Sequence, residues 1–375
     1  MVTALIAFCY SGWINDYLSL ERTIKWQMIL SSLLIIPCII IASDQVLPEH
    51  FTIGEKNTIA YKENITPQKA MLCPIIGIVL GTVVGIITEY YTSMTYQPVK
   101  NLVQSCKQGA AINIILGLAL GYLSNVIPTV LISVTVYASY SICGLFGISL
   151  AALGMLGNLS ISLAIDGFGP ISDNAGGIAS MCELHEDVRM RTDALDSAGN
   201  TTAAIGKGFA IGSACLVALS LYGAFVTNTG IGKVVLNSPL VFSGLLFGAM
   251  LPYVFSALTM EAVGDAAQGM VSAVREEFES HRDKDDWLTF TPDYKNCIGI
   301  ATRYSLRQMV MPGCLVIFTP IVVGVLFGPK AVSGLLIGII ISGIQLATCS
   351  ANSGGAWDNC KKSIKRKSCS CNFYN

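Results

Sequence analysis

Long apolar runs divided by short polar segments set the pattern of this chain. Ile24 to Ala42 and Met71 to Tyr91 each approach the roughly 20 residues needed to cross the hydrocarbon core of a bilayer. Ala111 to Cys143 stays apolar through Pro128 and reads as one long, bent helix. Gly147 to Ile165, Gly208 to Val226, Pro239 to Thr259, Met309 to Phe327 and Ala331 to Thr348 complete eight spans. Residues 1–10, MVTALIAFCY, are too short to cross and read as the end of a helix that begins upstream. The predicted fold is therefore all-α, a polytopic transmembrane helical bundle of about eight full spans plus one partial.

Composition strengthens that reading. Charged residues make up 13% and apolar residues 53% of the 375 residues, against roughly 25% and 45–50% in soluble domains. A net charge of -1 excludes a nucleic-acid partner, which would require a basic face to neutralise phosphates. Most of the 13 cysteines are scattered in apolar runs, where a small polarizable side chain packs easily. The three histidines are isolated, so no histidine metal site is expected. Met1 opens into an apolar run without a charged n-region or cleavage site, so no signal peptide is expected. A glycosylation sequon, Asn64-Ile65-Thr66, falls in the loop between the first two spans.

The one long polar interruption is Gly169 to Leu216, which carries Asp173, Asn174, Asp187, Asp193, Asp196, Asn200, Arg189, Arg191 and Lys207. Alternating crossings put 18 of the 23 lysines and arginines on its side, leaving Lys56, Lys62, Lys69, Lys233 and Lys330 opposite. The positive-inside rule assigns that stretch to the cytosol. The segments Glu261 to Arg282 and GGAWDNCKK (354–362) share its side, so three charged regions face one compartment.

Asp193, Asp196 and Asn200 share a helical face at i, i+3 and i+7. Clustered carboxylates and a carboxamide are hard oxygen ligands, suited to magnesium and, through it, to a phosphorylated substrate. The plainer reading is a solvated loop in which Arg189 and Arg191 neutralise the acids. GNTTAAIGKG (199–208) does not fit the spacing of a nucleotide-binding P-loop. In Asp358-Asn359-Cys360-Lys361-Lys362, an acid and a lysine at i and i+3 lie just outside a span; they suit either a metal-bound phosphate or a basic anchor at the membrane surface.

The strings TEYYTS (88–93), AALGMLG (151–157), GPISDNAGGIA (169–179), RTDALDSAGNTTAAIGKGFAIGSA (191–214), GAMLPY (248–253) and SGGAWDNCKK (353–362) closely resemble successive signatures of the membrane-integral, ion-pumping inorganic pyrophosphatases, in the family's order. The resemblance covers residues 1–362, read as a partial membrane pyrophosphatase domain; 363–375 read as a divergent, disordered tail. It implies a homodimer of subunits with sixteen helices, hydrolysing magnesium pyrophosphate at a cytosolic site and pumping protons or sodium ions. Position by position, it implies that Asp173, Asn200 and Asp358 contact magnesium and that Asn200 and Lys361 contact pyrophosphate. Ala203, just after GNTT, marks the family's potassium-dependent type, so Mg2+ and K+ are the implied cofactors.

The family's DxxxxxxxKxE, DNxGDxxGD and GDxxGDPxKD motifs are absent from the chain. The water-activating aspartates belong to those segments, so the catalytic residues are unassigned, and the chain by itself is expected not to hydrolyse pyrophosphate. The expected function is pyrophosphate hydrolysis coupled to proton transport across a vacuolar or other acidic-compartment membrane. The alternative is a noncatalytic membrane protein that pairs with full-length subunits. A secondary transporter is disfavoured, because its polar binding residues belong near the midplane, in a repeat.

Overall fold

The computed structural model describes the backbone of residues 20–54, 56, 60–231, 233–281 and 293–370; the partial span at 1–10 lies outside the described residues. Where the sequence reads as one membrane domain, the chain divides into two compact units, 1–232 with 344–375 and 233–343. The first holds α1 (Leu20–Val46), α2 (Pro67–Thr92), α3 (Gln97–Ser105), α4 (Ala110–Ser124), α5 (Val126–Met155), α6 (Leu159–Met181) and α7 (Glu186–Asn228). The second holds α8 (Pro239–His281) and α9 (Tyr294–Gln308). The final helix, α10 (Val310–Ser370), runs from the second unit into the first.

Six helical stretches among the described residues are long and apolar enough to cross a membrane. Two of them are kinked at a glycine: one holds both runs 309–327 and 331–348, and the other holds 111–143 with only the first part of the run 147–165, which a turn at Leu156–Asn158 interrupts. Gly144 takes φ 64° and Gly328 takes φ 79°, left-handed conformations that glycine adopts without a Cβ penalty. A Cβ on Gly147 would strike the Ser139 carbonyl, although an unbroken helix would hold residues eight apart about 12 Å from each other.

The long helix expected over 111–143 bends at Asn125, whose backbone stays in the right-handed helical region (φ -81°, ψ -20°), and the helical stretch goes on past 143 to Met155. Pro128 has no amide N–H to continue the ladder, and the chain restarts with it in the first turn of α5, where no N–H is needed. One departure from the all-helical reading is a small antiparallel hairpin, β1 (Phe51–Ile53) with β2 (Lys62–Ile65). It caps the turn of α5: the Phe51 ring meets Phe146 edge-on at 6.3 Å, and Lys62 Nζ donates to the Ser141 carbonyl at 2.9 Å. Another departure is the stretch 363–370, assigned to a disordered tail but helical in the structure. That stretch lacks glycine and proline, and its basic residues complement the helix C-terminus.

Small residues bring the helices of the first unit together. A Cβ on Gly77 of α2 would strike the Ala151 carbonyl of α5, and one on Gly154 would strike the Pro74 carbonyl. In lipid, where apolar side chains gain little by leaving their surroundings, such close packing holds helices together. Leu80, Val84, Ile148, Met155, Ile205, Phe209 and Leu216 fill the core between α2, α5 and α7. In the second unit, Gly244 and Gly248 of α8 lie against the backbone of Ala331 and Leu335. Gly334 and Gly338 of α10 lie against Val241 and Leu245 of α8, a small-xxx-small pair on each helix.

Candidate active site at the polar ends of α6, α7 and α10

The acidic cluster is positioned by a close approach of two backbones. Gly169 of α6 and Gly199 of α7 meet so closely that a Cβ on Gly199 would lie 2.7 Å from the Gly169 Cα. One turn beyond this crossing come Asp173 on α6 and Asp196 on α7; a further turn brings Gly176 to Thr192 and Asp193. Glycine at 169 and 199 therefore sets the separation of two carboxylates that lie 23 positions apart in sequence.

The third element is the end of α10, which buries one face and offers the other. Asn352 Nδ2 donates to Ser124 Oγ at 2.9 Å, Ser353 Oγ to the Gly117 carbonyl at 3.0 Å, and Asn359 Nδ2 to the Thr92 carbonyl at 2.7 Å. All three side chains are buried, and the Trp357 ring covers Gly117. With that face fixed, Asp358, Lys361 and Lys362 turn towards the acids. Lys362 Nζ reaches Asp196 Oδ2 at 2.6 Å and Asp358 Oδ2 at 3.1 Å, and Lys361 Nζ reaches Asp358 Oδ1 at 2.9 Å.

Asp196 is the most enclosed member, 6% exposed, and its Oδ1 has no hydrogen-bond partner among the described residues. Burial pushes its carboxyl above the ordinary value, against the pull of Lys362. Asp173 is exposed and close enough for its charge to act on Asp196 and on Lys361. Ala203 is half-buried. It lies on the α7 face that carries Asp196 and Asn200, at i, i+4 and i+7. The side chain of Asn200 lies outside the described residues.

The structure thus brings Asp173, Asp358 and Lys361 into one cluster. The buried carboxylate of Asp196 is met by Lys362, while Arg189 Nη2 donates to Ser180 Oγ at 3.4 Å. Lys362 carries no role in the sequence reading, although its i, i+4 spacing from Asp358 marks it. Its pairing with Asp196, across 166 positions, leaves no local trace.

Among the described residues no three His, Cys, Asp or Glu side chains gather closely enough to hold a metal ion by themselves. The donor set instead fits magnesium that arrives with a phosphorylated substrate, because magnesium is commonly held by one or two carboxylates while phosphate oxygens and water complete its octahedron. Asp173 and Asp358 offer that partial set, with the open oxygen of Asp196 nearby and the two lysines beside them for the anion.

Comparison with known proteins decides what the cluster belongs to. The model of the family described as inorganic H+ pyrophosphatase matches residues 2–372. The chain belongs to this family. A K(+)-insensitive pyrophosphate-energized proton pump of Methanosarcina mazei is 44% identical over 299 residues, 77% of this chain and 44% of the relative. A K(+)-stimulated pyrophosphate-energized sodium pump of Thermotoga maritima is 44% identical over 302 residues, 78% of this chain and 42% of the relative. The chain spans a little under half the length of these relatives, and the match through 372 extends past residue 362, where the quoted signatures end.

Proposed function

We propose that the protein carrying this chain hydrolyses inorganic pyrophosphate with magnesium and couples the reaction to outward transport of an ion. The observation that carries this reading is the convergence of Asp173, Asp196, Asp358, Lys361 and Lys362 from three helices in a member of this family. Pyrophosphate is strongly anionic, and magnesium would neutralise it and polarise the oxygens of the scissile bond. Asp173 and Asp358 hold that ion, Lys361 adds a fixed positive charge, and Asn200 contacts both. Asp358 is paired with both lysines, so an anion that takes Lys361 frees a carboxylate oxygen for magnesium.

Four further assignments belong to this proposal: a cytosolic position for the cluster, potassium activation through Ala203, protons as the ion moved, and assembly as a homodimer in an acidic-compartment membrane. The basic residues gathered on one side support the first, and a small side chain two turns from Asp196 supports the second. The relatives include both potassium-stimulated and potassium-insensitive pumps, and pumps for both ions.

Asp173→Ala in the protein that carries this chain tests the site. Magnesium-dependent phosphate release is expected to be lost with the melting temperature unchanged; near-normal turnover overturns the role given to Asp173.

A further inference from the structure

Next to the charged cluster lie two thiols from distant parts of the chain. Cys106 follows α3 and Cys360 lies on α10 between Asn359 and Lys361, and their sulfurs are 3.6 Å apart across 254 positions. Cys106 is half-buried, Cys360 is buried, and both are free thiols. Asn113 Nδ2 donates to Cys106 Sγ at 3.1 Å, and also to Ser105 Oγ at 3.0 Å and the Leu102 carbonyl at 3.1 Å. Asn113 thus ties the Cys106 sulfur to the end of α3, facing its partner.

We propose that Cys106 and Cys360 are a modification site, a dithiol that closes reversibly to a disulfide and ties the end of α10 to the segment 97–108. Closure takes the sulfurs from 3.6 Å to the roughly 2 Å of an S–S bond. The oxidant is hydrogen peroxide. The Cys106 thiolate attacks one peroxide oxygen, the O–O bond breaks, and the second oxygen leaves as water after taking a proton. The Cys360 sulfur then attacks the resulting sulfenic sulfur; the S–O bond breaks, and that oxygen leaves with the thiol proton as a second water. Two electrons pass from the thiols to the peroxide, and exchange with a small thiol returns them.

On the cytosolic side proposed above, disulfides are transient and act as sensors rather than as permanent braces. The consequence follows from position. Asn359 and Lys361 flank Cys360, so the bond fixes the α10 turn that holds Thr92 and Asp358. Hydrolysis that needs Lys361 to leave Asp358 for the substrate slows when that turn is tied.

The test uses membranes containing the protein that carries this chain. After hydrogen peroxide and blocking of free thiols, peptide mass spectrometry should find Cys106 linked to Cys360, and dithiothreitol should remove the link. In the reduced protein, dibromobimane, which bridges two neighbouring thiols, should join the same pair, and neither bridge should form in Cys360→Ala. Pyrophosphate hydrolysis should fall on the order of tenfold with the link, recover with dithiothreitol, and stay unaffected by peroxide in Cys360→Ala. Oxidation of each thiol singly, or linkage of either to another cysteine, overturns the proposal. A link that leaves hydrolysis unchanged overturns its effect on the site. Absence of hydrolysis in the reduced protein counts against the pyrophosphatase reading alone, and the linked peptide still decides the disulfide.

Discussion

Lys362 Nζ lies 2.6 Å from Asp196 Oδ2, both side chains almost excluded from water at 12% and 9% exposure. This pair joins α10 to α7 inside the charged cluster. Removing one partner of a buried pair leaves an unmatched charge and costs about 3–5 kcal/mol, whereas replacing both by apolar groups is often neutral or favourable. Lys362→Met should therefore lower the melting temperature, and Lys362→Met with Asp196→Leu should restore it. Additive losses in a double-mutant cycle would show that the two do not act as a pair.

That pair also has a pH signature. Burial holds the Asp196 carboxyl above its ordinary value, so the folded protein keeps that proton where the unfolded chain has released it. The stabilisation from this group is complete below the unfolded carboxylate value, about 4, and declines as pH rises through the folded value. With Lys362 removed the folded value rises further. Melting of Lys362→Met should improve relative to the wild type as pH falls from 8 to about 5; a constant difference would contradict this.

Asn359 is buried, and its Nδ2 donates to the Thr92 carbonyl at 2.7 Å. Asn359→Ala leaves that carbonyl without this donor and should cost about 1–3 kcal/mol. Because the bond orients the turn that carries Asp358 and Lys361, phosphate release should fall while the Asn352→Ala variant, about two turns earlier in α10, loses stability with less effect on turnover. Equal effects of the two on turnover would remove the positioning role of Asn359.

Gly154 lies against the Pro74 carbonyl, and Gly77 against that of Ala151. A side chain at either forces α2 and α5 apart, so Gly154→Leu should destabilise the first unit by about 1–3 kcal/mol or more. Thermal unfolding in detergent checks this; an unchanged melting temperature would mean that the helices part without cost.

Ala203 offers a test of potassium dependence. Ala203→Lys places an ammonium on the α7 face shared with Asp196 and Asn200, and hydrolysis by this variant should no longer need potassium. Continued stimulation by potassium would separate Ala203 from the cation's role.

The apolar runs showed the spans because hydrocarbon thickness fixes their length. The kinks near Gly144 and Gly328 followed from where those runs stopped. The bend at Asn125 was announced by Pro128, which has no amide N–H to give to the ladder. The ion pair of Asp358 with Lys361 was legible from their i, i+3 spacing. The Lys362–Asp196 pair was not, because long-range pairing depends on the crossing of Gly169 and Gly199 and on the burial of Asn352, Ser353 and Asn359. The hairpin at 51–65 was also missed; its strands are only 3 and 4 residues long, too short for alternation to show.

The most direct measurement is the melting temperature of the purified protein that carries this chain, with magnesium and a non-hydrolysable pyrophosphate analogue, imidodiphosphate. The account predicts a stabilisation that requires both components and is lost in Lys361→Ala and Asp358→Ala. Equal stabilisation of wild type and both variants, or none in the wild type, would contradict a magnesium pyrophosphate site built from α6, α7 and α10.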